Sequence, residues 1–138
     1  MSIQFFTEGI KYSIKNRNDK KRLINNVIAQ EQRKCGEINI IITTDDYLLN
    51  LNKTFLKRDS LTDIITFNFN QDETLSGELY ISLERIRENS KKYNCTVEEE
   101  LDRVIIHGIL HLIGYEDNDK TSKARMRRKE SEYLKKRL

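Results

Sequence analysis

The sequence contains no proline and only five glycines among its 138 residues. Segments rich in proline, or in glycine and serine, often join domains, and this chain has no such linker. It also has no internal repeat and no low-complexity tail. A chain of this length is large enough for one hydrophobic core, so we predict a single domain over residues 1–138.

Long apolar runs and a leader pattern are also missing. No run approaches the roughly 20 apolar residues of a membrane span, so we predict no membrane partner. Near the N-terminus, Lys11, Lys15 and Arg17 follow a short apolar run, whereas a signal peptide has its basic residues first. Cys35 and Cys95 lie far apart and outside any metal-binding spacing, so we expect reduced thiols. These absences favour a cytoplasmic protein.

A large net charge is absent too, since the formal value is only +3. That value is too small for an overall field that attracts nucleic acid. Basic residues are nevertheless concentrated in the last segment, at Lys120, Lys123, Arg125, Arg127, Arg128, Lys129, Lys135, Lys136 and Arg137. A helix of this composition can follow the phosphates of a nucleic acid, or it can simply be a solvated terminal helix.

The stretch most indicative of function spans residues 104–117 and reads V-I-I-H-G-I-L-H-L-I-G-Y-E-D. A helix that is apolar on nearly every side is a buried helix. His107 and His111 are the only histidines of the chain, and their spacing places them one turn apart on one face. Two buried imidazoles can share a divalent metal, although such a pair can also be two ordinary hydrogen-bonded histidines.

The residues after this helix favour the metal. Gly114 is placed to end the helix and turn the chain, so that Asp117 can return a carboxylate to the two rings. Three protein ligands leave a fourth position open, as in catalytic zinc sites. We therefore predict a metal site formed by His107, His111 and Asp117.

Alternation and capping patterns predict a fold of the α+β class, with a mixed β-sheet of about four strands and helices packed on it. Strands are predicted at residues 3–6, 37–44, 62–69 and 77–83, the last two as an antiparallel hairpin. Five helices are predicted: from an N-cap at Asp19 to a stop at Gly36, from Thr44 to about Thr54, from Ser82 to about Tyr93, from Thr96 through the histidines, and from about Thr121 onward. In the second of these helices, Leu48, Leu51 and Phe55 are expected to face inward. The helix that carries the histidines is expected to be central and buried.

The histidine stretch H-G-I-L-H-L-I-G-Y-E-D resembles H-G-x-L-H-L-x-G-Y-D-H, the signature of the YbeY family, and matches seven of its nine fixed positions. Further blocks of the family resemble residues 62–67, residues 77–82 and the pair Met126 and Glu130, in the same order along the chain. The resemblance implies a single-strand-specific, zinc-dependent endoribonuclease that acts in rRNA maturation, at the 3′ end of 16S rRNA, and in ribosome quality control. It also implies one Zn²⁺ per chain, or another divalent metal, with RNA and the ribosome as partners. Ribosomal or GTPase assembly proteins are further partners that it suggests.

Two departures from the family pattern matter most for the site. Asp117 replaces the family's third histidine, and an aspartate oxygen can bind zinc but is a harder ligand. Leu56 stands where the family usually carries an arginine, and Arg58 lies two residues on.

Other site residues are predicted more weakly. Glu116 is a weak candidate for the general base. Lys57, Arg58, Arg127 and Arg128 are predicted RNA-binding residues, because they are basic and lie in the polar loop and the last helix.

Two other functions fit parts of the pattern. A zinc metalloprotease also uses two histidines four residues apart on a helix, but it needs a glutamate directly after the first, and Gly108 stands there. A non-catalytic ribosome-assembly factor would keep the metal as a structural ion and bind RNA through the basic helix.

Overall fold

The computed structural model describes residues 2–56 and 62–136, and within these ranges it contains one four-stranded sheet. The strands are β1 (Ser2–Thr7), β2 (Lys34–Thr43), β3 (Ile64–Asn68) and β4 (Thr74–Ser82). Their order across the sheet is β1-β2-β4-β3. Strand β2 runs parallel to β1 and β4, whereas β3 pairs with β4 as an antiparallel hairpin. The prediction of an α+β fold with a mixed sheet of about four strands is confirmed.

Five α-helices lie in the described ranges, as the patterns predicted. They are α1 (Arg17–Gln30), α2 (Asp45–Leu51), α3 (Leu83–Lys92), α4 (Val97–Ile113) and α5 (Lys120–Lys135). A π-helical turn, Asn52–Leu56, continues α2. Within it Phe55 is 61% exposed, so the prediction of an inward Phe55 is wrong: the wider π turn changes the phase of the residues that follow α2.

The bounds predicted for α1 are wrong at both ends. Asn16, not Asp19, precedes the helix, and Asp19 lies inside its first turn. The left-handed turn after the helix is made by Gln32 (φ 60°), which does what was expected of Gly36. Gly36 lies within β2, where an added Cβ would sit 2.9 Å from the carbonyl oxygen of Leu75. The glycine is therefore explained by the close approach of two strands.

One face of the sheet forms the hydrophobic core with the helices. Alternate residues of the two central strands, Ile38, Ile40 and Ile42 in β2 and Leu79 and Ile81 in β4, are completely buried. Each such side chain contributes about 1.5–3 kcal/mol to folding through the burial of apolar surface. This period-two pattern is the signal that made the strands predictable.

Helix α4 packs across this face of the sheet. It begins with a capping box, in which Thr96 and Glu99 exchange side-chain and backbone hydrogen bonds, and it ends at Gly114, where φ is 121°. On the sheet side, a Cβ at Gly108 would lie 2.7 Å from atoms of both Ile64 and Leu79. The glycine thus permits the helix to approach the sheet closely, and it fixes which side of α4 faces away.

None of the helices in residues 2–56 and 62–136 combines the length and apolar character needed to cross a bilayer.

Candidate metal centre

The structure brings His107, His111 and Asp117 together at one point. The Nε2 atoms of the two imidazoles are 3.1 Å apart. Oδ2 of Asp117 lies 3.3 Å from Nε2 of His107 and 3.5 Å from Nε2 of His111. Among the described residues these three form the one group of His, Cys, Asp or Glu whose donor atoms are close enough to hold a metal ion.

The size of this triangle fits a tetrahedral ion. When zinc binds its ligands at about 2.0–2.1 Å, the donor atoms of a tetrahedral site are about 3.3 Å apart. The three observed separations of 3.1, 3.3 and 3.5 Å bracket that value. The donor set of two imidazoles and one carboxylate therefore fits a zinc-sized cation and leaves a fourth position free.

Glu130, from α5, orients one of the two rings. Its Oε2 atom lies 2.6 Å from Nδ1 of His107. The protonated Nδ1 therefore donates a hydrogen bond to the carboxylate. This hydrogen bond leaves the lone pair of His107 on Nε2, which points toward His111 and Asp117. Metal-binding histidines in proteins are commonly fixed by such a carboxylate.

Glu130 is in turn held by a cation. Its side chain is almost fully buried, and its second oxygen accepts a hydrogen bond of 3.0 Å from Arg103 of α4. Arg103 also donates to the hydroxyl of Ser131. Each oxygen of this buried carboxylate therefore has its own partner, which compensates for the loss of water.

The environment of His107 favours a positive charge. Burial has the largest effect on the pKa of His107 and acts to lower it. The hydrogen bond to Glu130 and the negative charges of Glu130 and Asp117 together outweigh burial and raise the pKa above its ordinary value. A site that attracts a proton in this way also attracts a metal cation, and the two compete for Nε2.

The candidate metal site opens into a cleft of about 240 Å³ between α3, α4 and α5. The cleft is lined by Asp63, Asn89, Tyr93, Glu100, Arg103, Val104, His107, Asp117, Lys123, Met126, Arg127 and Glu130. Burial is the main cause that raises the pKa of Asp63 and that of Glu100 above their ordinary values. The cleft thus combines buried acids near the metal site with the exposed cations Lys123 and Arg127.

The other predicted site residues are distributed unevenly. Arg127 lines the cleft, whereas the neighbouring Arg128 is exposed and does not. Glu116, the weak candidate for the general base, is also exposed and lies outside the cleft lining. Lys57 and Arg58 fall outside the described residues, and so does the side chain of Leu56.

The contacts of Glu130 and Arg103 in the site were not predicted from the sequence, whereas Asp63 lies in the family block that was matched at residues 62–67. A signal for Glu130 was present, because a family block had been matched at Met126 and Glu130. Arg103 had no comparable signal, since its partner is 27 residues further along the chain.

Comparisons with known proteins extend over most of the chain. The sequence model of the family described as "Endoribonuclease YbeY" matches residues 4–137. An Endoribonuclease YbeY of Flavobacterium psychrophilum is 41% identical over 130 residues, which cover 94% of this chain and 93% of that protein. One from Bacteroides fragilis is 44% identical over 117 residues, covering 85% of this chain and 84% of that one.

A solved structure is similar as well. The solution structure of a protein from Thermotoga maritima shares 30% sequence identity and superposes with a TM-score of 0.66. The similarity covers 97% of this chain and 87% of that one.

Proposed function

The chain belongs to the endoribonuclease YbeY family, and from that membership we propose that it is a zinc-dependent endoribonuclease. Its substrate is single-stranded ribosomal RNA in the cytoplasm, and its role is in rRNA maturation and ribosome quality control. The family resemblance supports the 3′ end of 16S rRNA as the region that is processed. It also supports ribosomal proteins or an assembly GTPase as partners.

The observation that carries this proposal is the triangle of donor atoms from His107, His111 and Asp117. Its edges match a tetrahedral zinc site, and one ligand is fixed by a buried carboxylate. With three protein ligands, the fourth position is available to water or substrate, which distinguishes a catalytic zinc site from a structural one. Zinc bound there would act as a Lewis acid, making water more acidic and offsetting the charge that builds up on a phosphate.

The chain's own residues would position the RNA. Lys123 and Arg127 lie on the cleft side of α5, where their charges can bind backbone phosphates on either side of the bond to be cut. Lys57 and Arg58 remain predicted contacts. Asp63 lines the cleft near His107 and has a raised pKa, so it is better placed than the exposed Glu116 to take a proton.

The metalloprotease alternative is disfavoured by the packing of α4. In that class of enzyme the residue after the first histidine is a glutamate that faces the metal-bound substrate. Here that residue is Gly108, which faces the sheet at a distance where even a Cβ would crowd Ile64 and Leu79. This helix therefore offers no room for the proteolytic base.

The assembly-factor alternative is favoured by the change of the third ligand to Asp117. In that case RNA binding would be the whole function, and metal would serve only the fold. The two functions predict different effects of losing the ion. An endoribonuclease would lose RNA cleavage, whereas an assembly factor has no cleavage activity to lose.

The test uses His111→Ala in the full chain, purified without a histidine tag or chelator. For wild type we expect about one zinc per chain by elemental analysis and cleavage of a single-stranded rRNA fragment. The variant should lose both the bound zinc and the cleavage activity. RNA affinity should stay close to that of wild type, because the cations of α5 are unchanged. Gln30→Ala, at an exposed position of α1, is the control variant.

Two outcomes would overturn the proposal. Zinc-loaded wild-type protein that leaves RNA intact but degrades casein would favour the protease. Cells that depend on the His111→Ala variant and still process their rRNA normally would favour the assembly factor.

A further inference from the structure

Beside the metal site, the cleft has a second part that the metal does not use. We call it the Tyr93 recess and define it by Asn89, Tyr93, Glu100, Val104 and Arg127, all of which line the same cleft as His107 and Asp117. Its walls come from the end of α3, the first half of α4 and the cleft side of α5. Any group held in the recess is therefore a near neighbour of a group held at the metal site.

Tyr93 supplies an aromatic surface to this recess. It follows the last residue of α3 and is 49% exposed. The guanidinium of Arg127 lies 5.6 Å from the centre of the ring. Exposed aromatic rings beside cations are the elements with which proteins stack the bases of single-stranded nucleic acids.

Glu100 supplies a polar wall. The residue is only 5% exposed although it lines the cleft. Burial, which is the largest cause, raises the pKa of Glu100, so its carboxylate is poorly hydrated. An ionised carboxylate only accepts hydrogen bonds, and a partner that brings donors would compensate for the missing water.

The size of the cleft limits what can enter. Its volume of about 240 Å³ is below the roughly 300–1,000 Å³ of pockets for drug-sized ligands. A single planar group next to a phosphate fits this limit, whereas a duplex or a folded peptide segment does not.

We propose that the Tyr93 recess binds the nucleobase next to the phosphate that is cut, stacked on Tyr93 with its Watson–Crick edge toward Glu100, and that it selects guanine. Unpaired bases are commonly recognised by stacking together with hydrogen bonds to this edge. Guanine presents two neighbouring donors there, N1–H and the N2 amino group, which match the two oxygens of a carboxylate. Uracil presents two acceptors around one donor and does not match. This inference rests on the proposed endoribonuclease function, whose substrate it specifies.

The first experiment measures cleavage by the zinc-loaded protein. The substrates are end-labelled uridine 12-mers that carry one variable nucleotide at the centre. We expect wild type to cut beside guanosine with kcat/KM about tenfold above that for the all-uridine strand. Glu100→Gln should bring this ratio toward one, because an amide presents only one acceptor. Tyr93→Leu should raise KM about tenfold for both strands with little change in kcat, since stacking on an aromatic ring is tolerant of base identity.

Controls separate the recess from general effects on the surface. Tyr93→Phe keeps the ring and should restore KM. Phe69→Leu removes another exposed ring, which is not part of the cleft lining, and should match wild type. Glu88→Gln, an exposed acid of α3, is the control for Glu100→Gln.

The second experiment does not depend on cleavage. Guanosine and uridine, which lack phosphate, are titrated into the zinc-loaded protein, and amide chemical shifts are followed by NMR. We expect guanosine to shift the signals of Tyr93 and Glu100 and uridine to shift them much less. Equal shifts for the two nucleosides, or cleavage without any base preference, would overturn the guanine site. An absence of RNA cleavage together with selective guanosine shifts would instead contradict the proposed enzyme.

Discussion

At the scale of residues, a single buried carboxylate determines how the candidate metal centre is arranged. Glu130 accepts a hydrogen bond from His107 at one oxygen and from Arg103 at the other. Glu130 thus fixes the orientation and the tautomer of the His107 ring. Its negative charge also stabilises a positive charge on that ring. Without this contact the Nε2 lone pair would have no defined direction toward Asp117.

We therefore predict that Glu130→Gln lowers zinc affinity by about 10–100-fold, the usual effect of losing such a supporting partner. The amide can still accept the hydrogen bond, but it no longer carries the charge that makes His107 a better ligand. The measurement is a competition titration against a chromophoric chelator at pH 7.

The control is Glu132→Gln, which makes the same chemical change at an exposed position two residues further along α5. Thermal unfolding of both zinc-free variants shows whether the fold is intact. Unchanged zinc affinity in folded Glu130→Gln would mean that the contact is only structural.

The three residues of the candidate metal site could be predicted from local sequence patterns, whereas only the family block at Met126 and Glu130 gave a signal for Glu130. His107 and His111 belong to one helix, so their spacing of four residues places them on one face. Gly114 predicts the end of this helix and the turn after which Asp117 lies close to both rings. Glu130 reaches the site only because α5 packs on α4, and a contact across 23 residues leaves no periodic signal.

At the scale of elements, α5 shows that basic composition does not define a binding surface. Its cations are spread around the helix, but only those at positions 123 and 127 line the cleft. These two are four residues apart and so share one face. Arg128 is 100° further around the helix axis, on exposed surface.

This arrangement predicts different effects for two neighbouring arginines. Arg127→Ala should weaken binding to single-stranded RNA and reduce the slope of log K against log salt concentration by about 0.7, the value for one phosphate contact. Arg128→Ala removes the same charge from the same helix and should leave the slope unchanged. Fluorescence anisotropy between 50 and 200 mM salt, a range over which such contacts are well resolved, provides the measurement.

Equal slopes for the two variants would show that α5 attracts RNA through its summed charge alone. Both arginines were predicted to bind RNA, because composition gives the charge of a helix but not the side that faces a cleft. The predicted end of α1 was wrong because the sequence does not show that Gln32, and not Gly36, adopts the left-handed conformation after the helix.

At the scale of the whole molecule, the sheet was predictable in kind but not in order. Alternating apolar residues identify the strands, and the short connection between β3 and β4 predicts their hairpin. That β4 pairs with β2, and so lies between β2 and β3, follows from packing contacts distant in sequence. No local pattern encodes them.

A partly buried acid contacts residues from distant parts of the chain. Glu31, directly after α1, accepts a hydrogen bond of 2.8 Å from the hydroxyl of Tyr115 and another from the hydroxyl of Tyr133. Lys129 lies 3.7 Å from the same carboxylate. The end of α1, the turn after α4 and the last helix therefore meet at one side chain.

The pH dependence of stability should reveal this junction. Burial acts to raise the pKa of Glu31, but the hydrogen bonds from Tyr133 and Tyr115 and the charge of Lys129 outweigh it and lower that pKa. A carboxylate with a lowered pKa stabilises the fold above its unfolded value, about 4.3, and this contribution is lost as the pH falls through the folded value. Glu31→Gln should therefore lower the free energy of unfolding by about 1.5–3 kcal/mol at pH 7, the range for a hydrogen bond to a charged group.

Urea unfolding of the metal-free protein at a series of pH values measures this difference between wild type and Glu31→Gln. The difference should be constant from pH 7 to about pH 5 and should shrink below pH 4, because protonation turns the wild-type carboxylate into a neutral group like the amide. Glu73→Gln, an exposed acid in the turn before β4, should show little difference at any pH. If the difference in free energy of unfolding between wild type and Glu31→Gln stayed the same at acid pH, the charge of Glu31 would not be what stabilises the contact. Shape and packing would then hold the three segments together.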